Sequence, residues 1–242
     1  MRMLAFAKRN FKEIARDPLS VIFALLLPLF LLFVFQQIKV PGEAYRIENF
    51  TPGIVIFSFS FVTMFTATLV AKDRATSLLV RLGVSPMRGG DYVLGYMLAM
   101  LPLVLVQNLL FFSAALLLDL PFSWGVMLAA LASLPVSLLF IGLGILLGAV
   151  TGEKSAPGVA SVVVQLVAFT GGMYFDGEMV GDFFATLCRI LPFSAATDLL
   201  KILLNSTGEH VARAVITVGI WTVAVLILAV CLFRRNMLRG KK

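Results

Sequence analysis

Charge is scarce in this sequence. Of 242 residues only 14% are Asp, Glu, Lys or Arg, 60% are hydrophobic and the mean hydropathy is +0.99. Ordinary soluble domains carry about 25% charged residues. So few charges cannot cover a soluble surface of this size, and the apolar excess must face lipid. A helical crossing needs about 20 apolar residues. The chain therefore holds roughly six crossings, which leaves no room for a catalytic or nucleotide-binding domain.

Metal-binding and redox residues are just as sparse. There is one histidine, His210, and there are two cysteines, Cys188 and Cys231, far apart in sequence. No cluster has zinc or iron spacing, and no cysteine pair reads as a redox motif. His210 follows Glu209 in a polar stretch and reads as a solvated loop residue. No GxxxxGK[ST] phosphate loop occurs. The sequence thus predicts no catalytic residue, no metal site and no cofactor in this chain.

What is present is length of apolar run. Six stretches qualify: 19–35, 53–71, 92–118, 124–150, 157–174 and 211–233. The first is too long for a signal peptide and no small-residue cleavage site follows it, so it is expected to remain as a span. Lysine and arginine are distributed unevenly around these runs. Residues 1–18 carry five, 72–91 four, 151–156 one and the tail after 233 five, fifteen in all; the opposite loops hold five, with eight acids. Basic loops stay inside, which predicts a multi-pass protein of the cell membrane with both termini cytoplasmic. The net charge of +7 is accounted for by this asymmetry, and no nucleic-acid partner is expected.

The amino-terminal stretch places Leu4, Ala7, Phe11, Ile14 and Ala15 at helical spacing among basic residues, with Phe6 off the stripe. Such a helix can lie in the headgroup layer. Asp17 offers an N-cap and Pro18 a first helical position for the next span. Phe11, Arg16, Asp17 and Pro18 therefore mark an elbow, which either touches a cytoplasmic partner or serves as a plain anchor. The loop after the second run begins charged and then sets Leu78, Leu79 and Leu82 on one edge. Gly83 and Ser85-Pro86 end it. This short helix is either a knob for a partner's groove or a connection lying on lipid.

Polar side chains inside the runs are few. Ser60, Thr63 and Gln165 are candidates to line a path for an amphipathic molecule, against the alternative that Ser and Thr bond helix backbone. Gly144, Gly148 and Gly152 form a small-residue ridge suited to close packing within the chain or against a second chain. Between the fifth and sixth runs, Phe183, Phe184, Leu187, Ile190 and Leu191 form one stripe and Ala195, Leu199, Ile202 and Leu203 another. Two short re-entrant helices satisfy both, with Gly171 and Gly172 as a flexible entry. They form either an outer gate or an interfacial cap.

Arg16-Asp17-Pro18 with Pro28, then the loop from Asp73 through Thr76 and Leu79 to Ser85-Pro86, then Tyr92 and Gly95, resemble the permease subunits of ATP-binding-cassette exporters of the type-2 class. Lys72 stands where that family usually has an acid, and Ala75 where it has glycine. The resemblance implies an all-α integral membrane fold of six spans forming one domain over 1–242, with an elbow helix and re-entrant helices before the last span. It implies a second permease chain, identical or not, and a separate ATP-binding subunit that holds ATP and magnesium. That subunit would dock on a coupling loop formed here by Asp73, Thr76, Leu78, Leu79, Arg81, Leu82, Ser85 and Pro86. The family exports drugs, lipids, polysaccharides and peptides; the first span lacks the Gly and Trp of polysaccharide members, which favours the other three. The expected setting is a bacterial or archaeal plasma membrane.

Two other classes compete with an exporter subunit. An intramembrane lipid-modifying enzyme would need acids gathered at the inner face, where the chain offers only Asp73, Asp91 and Glu153. A non-transporting accessory membrane protein makes no such demand. The near absence of ionisable residues within the runs argues against ion-coupled transport.

Overall fold

A computed structural model describes residues 2–38, 45–76, 89–173, 181–206 and 210–239. All secondary structure among them is helical apart from short turns. The helices are α1 (Arg2–Ala15), α2 (Pro18–Ile38), α3 (Ile47–Ala75), α4 (Gly89–Leu117), α5 (Trp124–Val150), α6 (Ala156–Thr170), α7 (Asp182–Ile190), α8 (Pro192–Asn205) and α9 (Val211–Arg239). Four of them, α3, α4, α5 and α9, are long and apolar enough to cross a membrane, and Ala24–Ile38 and Ala156–Thr170 are shorter apolar helices. Each apolar run of the sequence contains a helix, although the fifth, expected over 157–174, has its helix end at Thr170. Most helices overrun their run, because helical hydrogen bonding continues into the polar residues at either end.

Aromatic and polar contacts define two ends of the bundle. At one end, which we call the basal end, Phe6 of α1 meets Tyr92 and Tyr96 of α4, and Phe233 of α9 stacks on Tyr92 at 6.4 Å. At the other end Phe35 of α2 stacks on Tyr45 and on Phe50 of α3, and Gln36 Nε2 donates to the Tyr45 carbonyl at 3.0 Å. Asn205 Nδ2 and Asn49 Oδ1 lie 3.4 Å apart there. The four long apolar helices α3, α4, α5 and α9 run between these ends, beside the shorter apolar helices of α2 and α6.

The centre of the bundle is α3. Of its apolar window 78% is buried inside the chain, against 17% for α9. Its closest neighbour is α5, and the glycine ridge explains the approach. A Cβ on Gly144 would stand 2.6 Å from the Thr63 carbonyl oxygen and 2.5 Å from Thr66 Cβ. One on Gly148 would stand 2.5 Å from the Ala67 oxygen. Gly144 and Gly148 therefore pack within the chain, whereas Gly152 is exposed past the end of α5.

The α7–α8 segment turns back into the bundle. The Phe193 ring packs on Phe140 of α5 at 5.8 Å, whereas the carbonyls of Leu203 and Leu204 press on Gly125. Phe140 lies fifteen residues, about 22 Å at 1.5 Å per residue, along α5 from Gly125. So α8 starts at mid-depth and climbs back to the far end. Ser194 Oγ fastens the preceding turn by donating to the Cys188 carbonyl at 2.6 Å. The buried face of α8 is Phe193, Ala196, Leu200 and Leu204, with Thr197 and Leu199. This corrects the expected stripe, of which Ala195, Ile202 and Leu203 are only partly buried.

Candidate functional site

The basal end gathers polar and charged side chains from three helices. Helix α1 follows from its pattern: fourteen residues with Phe6, Ala7 and Asn10 on one buried arc and Leu4, Lys8, Phe11 and Lys12 on the exposed one. Phe6 was expected off the stripe but is the main anchor. Its ring meets Tyr92 and Tyr96 edge-on at 5.6 and 5.0 Å, in a notch that exists because residue 95 is glycine; a Cβ there would lie 2.5 Å from the Phe6 ring. Asp17 and Pro18 join α1 to α2: Val21 N–H donates to the Asp17 carbonyl and Pro18 opens α2. Phe11, Arg16, Asp17 and Pro18 are all exposed at this turn.

Asp73, in the last turn of α3, was expected on a docking face. It is fully buried, and among the described residues it is the one fully buried charged side chain. Its Oδ1 accepts from Arg9 Nη1 of α1 at 2.5 Å and its Oδ2 accepts from the Tyr96 hydroxyl of α4 at 2.8 Å. Arg9 Nη1 also donates to Asn10 Oδ1 at 2.8 Å, and Arg9 Nη2 pairs with Glu13 Oε2 at 3.3 Å. Lys72 Nζ closes the group on Glu13 Oε1 at 2.6 Å. That bond holds the Glu13 carboxyl below its ordinary range. The sign follows: a depressed carboxyl supports docking of α1 above its unfolded value, and the support is lost as pH falls through the folded one.

The residues beside Asp73 have other tasks. Arg74 Nη1 donates to the carbonyls of Gly148 and Thr151 at 2.8 and 3.0 Å, meeting the C-terminal carbonyls of α5, where a cation is favoured. Thr76 is exposed and closes α3, its N–H and its hydroxyl both donating to the Lys72 carbonyl. Leu78, Leu79, Arg81, Leu82, Ser85 and Pro86 lie outside the described residues.

The path candidates separate. Ser60 and Thr63 are fully buried; Ser60 Oγ donates to the Phe57 carbonyl and Thr63 Oγ1 to the Phe140 carbonyl of α5 at 2.9 Å. Both hydroxyls serve helix backbone. Gln165 is exposed on α6, in a face with Val162, Leu166 and Phe169. Of the gate candidates, Gly171 caps α6 by donating to the Val167 carbonyl, and Gly172 takes φ +67°, a left-handed turn that favours glycine. Phe183 is 84% exposed, while Phe184 and Leu187 are half-buried. Helices α6 and α7 touch.

Residues 1–205 match the family described as ABC-2 type transporter. The chain belongs to the ABC-2 type transporter family. It is also similar to "Putative transport permease YvfS" of Bacillus subtilis (strain 168), at 23% identity over 189 residues, covering 75% of this chain and 76% of that one. Family and relative point to a transport permease rather than an enzyme, and with the apolar helices they make it a multi-pass membrane protein.

Sequence reasoning missed the Arg9–Asp73–Tyr96 group. Its members stand 64 and 23 residues apart in the chain, and helical periodicity reads only nearest turns. A usable signal was present: an acid at the edge of an apolar run, with an arginine in the preceding amphipathic helix.

Proposed function

We propose that this chain is the membrane subunit of an ATP-driven exporter that moves a drug, lipid or peptide of amphipathic character out of the cytoplasm. The energy comes from a separate ATPase subunit, which holds ATP and magnesium and docks on residues 77–88. Two such chains, identical or not, pair in the plasma membrane of a bacterium or archaeon, with all termini inside and the path between them. The observation that carries the coupling part of this reading is the anchoring of residues 72–76. The segment 77–88 departs from a helix end fixed to α1, α4 and α5, so a push on it reaches the bundle.

A path between chains is lined by side chains that face outward. Gln165 faces outward, and Ser60 and Thr63 face inward, so the lining falls on the exposed face of α6 and the inward hydroxyls set helix spacing.

The docking test is Leu79→Asp in the reconstituted complex. A leucine buried in a partner groove contributes up to about 1.5–3 kcal/mol, and a carboxylate there reverses the sign. The variant should insert normally, lose capture of the ATPase subunit, and lose ATPase stimulation by a panel of lipophilic cations, lipids and peptides. Normal capture together with normal stimulation would make 77–88 a passive connection. The orientation has its own test. Cysteines replacing Glu43 and Glu178 should react with an impermeant maleimide in intact cells, and those replacing Arg88 and Lys242 only after lysis. The reverse pattern would invert the topology.

A further inference from the structure

A fully buried carboxylate needs a reason to exist. Taking a carboxylate out of water is costly, and apolar residues of similar volume often do as well or better. Asp73 nevertheless sits fully buried in the last turn of α3, with one oxygen on Arg9 of α1 and the other on Tyr96 of α4. What such a group contributes beyond stability is direction. The planar guanidinium offers donors in a fixed fork, here bound at Asp73, Asn10 and Glu13. The Phe6 ring, seated over Gly95 between Tyr92 and Tyr96, keeps the α1–α4 separation fixed beside it. Three helices therefore meet at one side chain, four residues before the segment 77–88 begins.

We propose that Arg9, Asp73 and Tyr96 are positioning residues that make α1 and the first turns of α4 follow the end of α3, so that a displacement entering at 77–88 is delivered to three helices together. This rests on the reading of 77–88 as the place where an ATPase pushes. Helix α3 is the buried centre of the bundle and α4 packs on both α3 and α5. Motion of the joined end thus reaches the bundle from two sides, and it carries the exposed Leu4–Phe11 face of α1 with it.

The test uses the complex of full chain and ATPase in nanodiscs, followed by hydrogen–deuterium exchange with and without ATP and vanadate. In the parent, a nucleotide-dependent difference is expected in 66–76, in 3–15 and in 89–97. Two variants probe the joint: Tyr96→Phe removes one hydroxyl, and Arg9→Met with Asp73→Leu removes the whole pair without leaving a buried charge alone. The double variant should keep the thermal midpoint near that of the parent, above Asp73→Leu alone, and the difference in 3–15 should be lost while that in 66–76 remains. Tyr96→Phe should lose the difference in 89–97. If the double variant does not fold, Tyr96→Phe carries the decision. Persistence of the 3–15 and 89–97 differences in folded variants overturns the proposal and leaves the group a structural pair. A parent with no nucleotide-dependent difference anywhere overturns the ATPase reading itself, and the proposal with it.

Discussion

Replacing Gly144 by alanine is expected to destabilise the protein, although alanine is the better helix former. In a helix interior the exchange gains about 0.8–1.0 kcal/mol from propensity. The new methyl would stand 2.6 Å from the Thr63 carbonyl oxygen and 2.5 Å from Thr66 Cβ. Thr63 is held there by its own bond to the Phe140 carbonyl, so the carbonyl cannot yield without moving α3 from α5. Overpacking of this kind costs about 1–3 kcal/mol, and the clash outweighs the gain. Gly148→Ala meets the Ala67 carbonyl in the same way, and the double variant should lose about twice as much stability. Gly219→Ala is the control, since nothing lies within 4 Å of its added methyl; it should be neutral or slightly stabilising. Thermal midpoints of detergent-purified protein by fluorescence-detected gel filtration will rank the four. A midpoint for Gly144→Ala at or above the parent would mean that α3 and α5 do not pack as described.

Phe6→Ala is expected to release α1 from the bundle. Truncating a buried phenylalanine costs about 3–5 kcal/mol, and its two edge-on ring contacts add about 0.5–1.5 kcal/mol each. The remaining attachments are weaker. Glu13–Lys72 is partly exposed and belongs to the class of pairs contributing about 0–1 kcal/mol; Arg9 is itself 37% exposed. Loss of the ring leaves the ion pairs to hold fourteen residues alone. At about 1.4 kcal/mol per tenfold, amide protection in 3–15 should fall about a hundredfold or more. Trypsin should then cut at Lys8, Arg9 and Lys12, while protection in α3 and α5 stays. Gly95→Leu, which fills the notch from the other side, should give the same pattern. Unchanged protection in both variants would show that the ion pairs alone dock the helix.

These two cases also show what the sequence made legible. The ridge of Gly144 and Gly148 announces a close approach because glycine at i and i+4 has one structural meaning in an apolar helix. Which helix approaches is another matter: Thr63 and Thr66 are some eighty residues away, and no local pattern names them. The turn from α1 to α2 was readable from Asp17-Pro18 alone, since N-cap and first-turn preferences act within four residues. Phe6 was misread for the opposite reason. A stripe drawn from hydropathy assumes one apolar face, whereas α1 has two, an inner face with Phe6 and an outer one with Leu4 and Phe11. Asp73 was misplaced because a charge next to an apolar run looks solvated until a partner arrives, and Arg9 arrives only in three dimensions. The serine and threonine hydroxyls carried both readings from the start; Ser60 and Thr63 are buried and donate to helix carbonyls.

The hydroxyls of α3 bear on the order in which the protein is made. Ser58, Ser60, Thr66 and Thr68 donate to carbonyls three or four residues back in their own helix. Helix α3 therefore meets the needs of these groups before any later helix exists. Its main partner α5 ends 75 residues further along the chain, about 4–15 s later at ribosomal rates of about 5–20 residues per second. During that interval the future centre of the bundle can stand in lipid with these four hydroxyls paired. Thr63 is the exception: its bond to Phe140 can form only once α5 is in place, so this hydroxyl ties α3 to a helix made after it.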